Sequence, residues 1–213
     1  MIEVLPAINC PDRDFDCISH KLQVAQGFAD MVHLDVADGT FTFNKTWAAA
    51  EHWPDFGTRL KLEVHLMVEH PERVAPAWLR AGAKRLIVHL ETITEETLTE
   101  IHARAAALGA EVFLAMGPES SIENLWTLVK KCDGFQILSV HPGFAGQAFL
   151  PLSLEKLQFL RQSWPKSKIE MDGGMDLERA KLSVGAGANI LASASYIFEN
   201  NDPAKAYDNL RNL

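Results

Sequence analysis

The stretch AGAKRLIVHLE, residues 81–91, holds a helix stop followed by a strand, a unit that recurs along the chain. Gly82 between two alanines suits the left-handed residue that ends a helix. Behind it, RLIVHLE (85–91) is short, apolar and rich in Ile and Val, which reads as a strand. The same punctuation recurs: Leu108-Gly109-Ala110 precedes EVFLAM (111–116), and Ala186-Gly187-Ala188 precedes NILASA (189–194). Gly82 and Gly109 are 27 residues apart, and Gly109 and Gly187 are 78 apart, three units of 26. One βα unit per 26 or so residues follows.

Working outward, further strands fall at EVLPAI (3–8), MVHLDVA (31–37), LKLEVHLMV (60–68), FQILSV (135–140) and KIEMD (168–172), making eight with the three above. Between them lie helix-period stripes, such as Phe15, Ile18, Leu22 and Ala25, or Leu98, Ile101, Ala105 and Leu108. A helix is therefore expected after each strand. With no linker and no change of composition, eight such units favour one closed (β/α)8 TIM barrel spanning residues 1–213 over an open doubly wound sheet. The chain is shorter than the ~250 residues usual for that fold, so its loops must be short.

Composition agrees. At 213 residues, 47% hydrophobic and 23% charged, the chain can bury one sizeable core but not two. No apolar run is long enough to span a bilayer, and the opening MIEVLPAINC lacks a basic leader, so a soluble cytoplasmic protein without membrane partners is expected. A net charge of −8 without a Lys/Arg cluster argues against nucleic acid, while leaving room for a small anion held by backbone amides. The three cysteines, Cys10, Cys17 and Cys132, are odd in number and lack Cys-x-x-Cys spacing; neither a disulfide framework nor a thiolate zinc site is expected, and they read as buried or incidental thiols.

Within the strand MVHLDVA, His33 and Asp35 stand two apart and so share a face, which in a barrel is the interior. His65 and Asp172 lie near the ends of their own strands, at the rim where this fold carries its active sites. A buried carboxylate without a partner is very unfavourable, but two imidazoles and two carboxylates converging on one divalent cation neutralise that cost. A lone strand histidine is more often a satisfied core group; it is the coincidence of four such groups at one rim that points to a metal.

Glycine-bearing turns form a second constellation. HPGFAGQ places Gly143, Phe144, Ala145 and Gly146 after strand six, DGG places Gly173 and Gly174 after strand seven, and Ala194-Ser195 follows strand eight. Singly these are ordinary turn residues, but together they outline a rim where backbone N–H groups can approach a phosphate. His89 and Glu91 repeat the two-residue spacing and read as structural support. His20, His52, His70 and His102 read as solvated, and His141 borders the glycine turn, facing ligand or solvent.

The motifs VHLDVADGTFTFN, EVHLMVEHPE, SVHPGFAGQAF and MDGG, taken together, resemble the ribulose-phosphate 3-epimerase family over residues 6–198. The resemblance implies a (β/α)8 barrel that interconverts D-ribulose 5-phosphate and D-xylulose 5-phosphate, in a chain that is often oligomeric. It implies one divalent metal (Zn, Fe, Mn or Co) on His33, Asp35, His65 and Asp172, with Asp35 and Asp172 as the acid–base pair. It also implies substrate and phosphate contacts from His65, Gly143 to Gly146, Gly173, Gly174, Ala194 and Ser195. The chain departs from the family pattern at Ala7 (commonly Ser), at Ala37 and Leu138 (two of three methionines over the reaction centre, Met67 being kept), at His141 (Asn) and at Ala194 (Gly). No metal ligand or proton carrier is lost. Two rivals share these residues: a 3-epimerase of a ketohexose 6-phosphate such as allulose 6-phosphate, and a sugar-phosphate binder that no longer turns over. A decarboxylase of the same barrel type would carry Asp-x-Lys-x-x-Asp on its second or third strand, and LDVAD has no lysine there.

Overall fold

Eight parallel strands close on themselves in chain order, β1 (Glu3–Ile8), β2 (Met31–Ala37), β3 (Lys61–Met67), β4 (Arg85–His89), β5 (Glu111–Met116), β6 (Gly134–Leu138), β7 (Lys168–Asp172) and β8 (Ile190–Ser193), with β8 pairing back onto β1. This computed structural model describes residues 2–143 and 147–213, so Phe144, Ala145 and Gly146 of the glycine turn lie outside the described residues. The strands match the sequence reading in number and order; β3, β4, β6 and β8 are shorter than expected at one end or both.

Alternation along each strand builds two apolar layers. Inward positions meet as Leu5, Met31, Ile87, Phe113, Ala115 and Ile190 inside the barrel. Outward positions such as Val32, Leu34, Val64 and Leu114 join the buried faces of the helices in one continuous cluster. Those helices are α1 (Phe15–Ala25), α2 (Pro71–Arg80), α3 (Glu95–Ala107), α4 (Leu152–Ser163), α5 (Leu177–Ala186), α6 (Ser195–Phe198) and α7 (Pro203–Arg211). Asp14, Thr94, Asp176 and Asp202 each accept a backbone N–H in the first turn of α1, α3, α5 and α7. Gly82, Gly109 and Gly187 stand at φ of +98°, +67° and +119°, the left-handed stops expected of them.

Three expectations are corrected. A helix does not follow every strand: after β2 the chain makes a 3-10 segment at Ala50–Phe56 containing Pro54, and after β5 two at Ile122–Leu125 and Val129–Lys131. Pro54 removes an N–H donor, and the turn residues Gly117 and Pro118 use up part of the β5–β6 connection. The amphipathic stripes also overrun the packed face, since Phe15 and Leu108 at the helix ends are 41% and 55% exposed. Finally, Cys10 and Cys17 are not free thiols but a disulfide. Cys10 lies two residues past β1 and Cys17 in the first turn of α1, and the β1–α1 connection brings their Cα atoms to 5.9 Å, inside the range a bridge needs. Cys132 is a free thiol that burial pushes up to about 12.

Candidate active site

Strand register gathers the predicted ligands at the carboxyl ends of the strands. Asp35 lies beside His65 across β2–β3, His33 beside Ala7 across β1–β2, and Asp172 between Leu138 and Ala192 on β6 and β8. The strand ends are pinned locally. Thr46 Oγ1 donates to Asp35 O at 2.8 Å and accepts from Ala37 N, and Ser139 Oγ reaches the carbonyl oxygens of Asp172 (2.9 Å) and Gly173 (2.6 Å).

Asp35 Oδ1 stands 3.1 Å from both His33 Nε2 and His65 Nδ1; Asp172 Oδ2 stands 4.0 Å and 3.7 Å from the same nitrogens. All four donor atoms lie within 4.8 Å of one another. Ligand atoms about 2.1 Å from a common ion at ordinary angles are themselves separated by roughly 3–4 Å, which the 3.1–4.0 Å separations above match, so this set could hold a divalent cation. The rear of each imidazole is held too, as metal-ligating histidines require. His33 Nδ1 lies 2.6 Å from Glu63 Oε1. His65 Nε2 lies 2.8 Å from His89 Nε2, whose Nδ1 is 3.3 Å from Glu91 Oε2. With an ion in place of the contact to Asp35, His65 Nδ1 would offer its lone pair forward, Nε2–H would donate to His89 and His89 Nδ1–H to Glu91, a consistent run of tautomers.

His33, Glu63 and Glu170 form a second group of suitable donors. It is better understood as the floor of the site. Glu63 Oε2 is taken by Arg85 Nη1 at 2.5 Å, and Arg85, 4% exposed, also reaches Glu3 and Glu111. Glu170 Oε1 accepts from Gln136 Nε2 at 3.1 Å, while Glu170 Oε2 and Gln136 Oε1 are buried without a partner.

The two aspartates differ in charge state. Burial opposes ionisation of Asp35, but hydrogen bonds from His33 and His65 overcome it and hold its carboxyl far below the usual range. Among the described residues Asp172 has no such donors, and burial together with the neighbouring Asp35 charge pushes it up to about 7. Burial also lowers His65 to about 4, whereas His33, buried equally, is raised by its bonds to Asp35, Glu170 and Glu63.

The cleft above these groups is bordered by Asn9, Met67, Gly143, Gly174, Met175 and Ser195 among others. Ala7, Leu138, Gly173 and Ala194 line it as well. Two of its glycines are left-handed and closely packed: φ is +123° at Gly143 and +104° at Gly173, and a Cβ there would fall 2.7 Å from Asn44 Oδ1 and 2.6 Å from Val140 Cγ2. His141 is exposed and pairs with Glu119. Sequence reasoning missed Asn9, Glu63 and Glu170. The spacing rule that found His33 with Asp35 would have found Glu63 two before His65 and Glu170 two before Asp172.

Fold and site together define a (β/α)8 barrel whose strand ends gather a buried His/Asp cluster that could hold a divalent cation. Residues 12–198 match the model of the Ribulose-phosphate 3 epimerase family. The Ribulose-phosphate 3-epimerase of Chlamydia trachomatis serovar D is 38% identical, with 92% of this chain and 87% of that protein covered. That of Bacillus subtilis strain 168 is 33% identical with 99% of each covered. The chain belongs to the ribulose-phosphate 3-epimerase family, a group of isomerases acting on carbohydrates. Solved structures with the same fold include 3-hexulose-6-phosphate synthase from Salmonella typhimurium (TM-score 0.73, 14% identity, 99% and 97% covered). KGPDC from Streptococcus mutans superposes equally well (TM-score 0.73, 11% identity, 100% and 97% covered). Among the described residues no helix is long and apolar enough to cross a membrane.

Proposed function

We propose that the chain interconverts D-ribulose 5-phosphate and D-xylulose 5-phosphate by moving a proton at C3 between Asp35 and Asp172. The observation that carries this reading is the pair itself: two carboxylates of one cluster whose environments drive their protonation apart, Asp35 downward and Asp172 up to about 7. Such a split is the mark of a base and an acid working together. Ionised Asp35 takes the C3 proton and protonated Asp172 delivers one to the opposite face; for the other epimer the roles exchange, and the chain ends each turnover ready for the reverse reaction. The two carboxylates titrate as one system, so the bound epimer sets which of them holds the proton.

His33, Asp35, His65 and Asp172 are the residues that would hold a divalent ion, which supplies Lewis-acid stabilisation of the negative charge beside the reacting carbon. Glu63 and His89 keep the two imidazoles aimed forward. Gly143, Gly173, Gly174 and Ser195 bind the phosphate, and that binding energy orients the sugar over the aspartates. Phe144, Ala145 and Gly146, expected to share this contact, lie outside the described residues.

The test is a coupled assay on D-ribulose 5-phosphate with and without chelator, run beside C3 deuterium exchange in D2O and the variants Asp35→Asn and Asp172→Asn. Each variant is expected to lose at least about a hundredfold, the usual contribution of a positioned acid or base. Full activity in either would defeat the two-aspartate reading. Faster turnover of allulose 6-phosphate than of ribulose 5-phosphate would move the substrate to six carbons, and the absence of C3 exchange would leave only a binding protein.

A further inference from the structure

We infer that Asn9 is a positioning residue that fixes the proton-carrying oxygen of Asp35. The inference rests on the epimerase reading above. Asp35 divides its two oxygens: Oδ1 faces His33 Nε2 and His65 Nδ1, each at 3.1 Å, whereas Oδ2 accepts from Asn9 Nδ2 at 3.0 Å. An oxygen held between two imidazoles is committed to the cluster, so Oδ2 is the one left to meet a substrate proton. A carboxylate rotates freely unless both ends are held, and an amide N–H is a donor that aims a lone pair without being able to take the proton itself.

Asn9 is itself held from the other side. Its carbonyl oxygen accepts from Lys21 Nζ of α1 at 3.0 Å, and the next residue, Cys10, is bonded to Cys17 on the same helix. Two independent ties from α1 therefore fix the residue that touches Asp35. Asn9 borders the cleft together with Ala7, which lies two residues earlier on the same face and offers no hydrogen bond. Among the described residues the second amide N–H and Oδ1 of Asn9 have no protein partner, which leaves them free for a substrate hydroxyl. Among the described residues Asp172 receives no comparable side-chain donor, so the arrangement serves one aspartate of the pair.

The test compares the metal-loaded wild type with Asn9→Leu, close in size but without the amide, and Asn9→Gln, which keeps it. Readouts are kcat and KM for D-ribulose 5-phosphate, the kinetic isotope effect with C3-deuterated substrate, metal content and Tm. Asn9→Leu is expected to lose about tenfold in kcat, equivalent to about 1.4 kcal/mol in the barrier. KM should stay within about twofold, metal content should hold, and the isotope effect should rise as proton transfer becomes more fully rate-limiting. Asn9→Gln should recover part of the loss with the isotope effect falling back. An activity loss that tracks lost metal or a lower Tm, or an isotope effect identical to wild type, would show that Asn9 only packs the β1 end and overturn the inference. Should Asn9→Leu not fold, Asn9→Gln against wild type decides: an unchanged kcat and isotope effect when its amide is displaced by one methylene overturns it. Wild type without C3 exchange would instead overturn the parent reading; an active wild type with an equally active Asn9→Leu overturns this inference alone.

Discussion

Replacing Glu170 by glutamine should make the metal-free protein progressively more stable than wild type as pH rises. Glu170 is fully buried in the floor of the site, and burial together with the neighbouring Glu63 charge pushes it up to about 8, from an ordinary 4.5. Its Oε2 and the Oε1 of Gln136 are both buried without partners, on two side chains already joined by Gln136 Nε2 donating to Glu170 Oε1. A proton on Oε2 supplies the donor this pair lacks. The sign follows from linkage: between pH 4.5 and 8 the native state holds a proton that the unfolded chain has lost, so stability from this group is full below 4.5 and is lost as pH rises toward 8. At about 1.4 kcal/mol per pH unit, the loss from about pH 5 to about pH 7 is on the order of 3 kcal/mol. Glutamine has no proton to lose. Urea unfolding followed by tryptophan fluorescence, with chelator present, should show the wild-type minus variant difference widening by about that amount over those two units. A difference that stays constant within about 0.5 kcal/mol would mean that Glu170 is ionised throughout, and the account of the barrel floor would fail.

Metal affinity should fall as pH drops below 7, because His33, raised by its three carboxylate partners, must give up its proton to become a ligand. About tenfold per pH unit per displaced proton is expected in an indicator competition titration, and a flat profile from about pH 5 to about pH 7 would contradict it. Arg85→Met should destabilise by about 3–5 kcal/mol, since it leaves the buried carboxylate of Glu63 without its guanidinium; an unfolding midpoint unchanged in urea would refute that. Cys17→Ser should cost about 2 kcal/mol, the chain-entropy value for a short closed loop of seven residues. Adding reductant should then weaken wild type by the same amount and leave the variant untouched, whereas equal sensitivity of both would show the disulfide does not form in solution.

How far these residues were legible depended on the range of the signal. His33 with Asp35 could be read because a two-residue spacing on a strand fixes a shared face, and Gly82, Gly109 and Gly187 because a helix stop is a local conformational demand. Asn9 gave no such sign: one residue past the end of β1, it looks like loop, and its contact with Asp35 spans 26 positions of sequence. Glu63 and Glu170 obey the alternation that exposed His33, yet a carboxylate in mid-strand reads as solvated until the closed barrel places it inside. The Cys10–Cys17 bridge contradicts the spacing argument, because pairing depends on where α1 starts relative to β1 and not on a motif.

By itself the sequence determined the eight strands, their order and the four residues that gather at one rim, since each rests on interactions within about one βα unit or on residue chemistry alone. Only the closed barrel decided which carboxylate would lose its proton and which would keep it, because that depends on donors and charges brought together from β2, β3 and β7. Protonation is set by the field of neighbours remote along the chain, and proximity of that kind exists only once the strands have met.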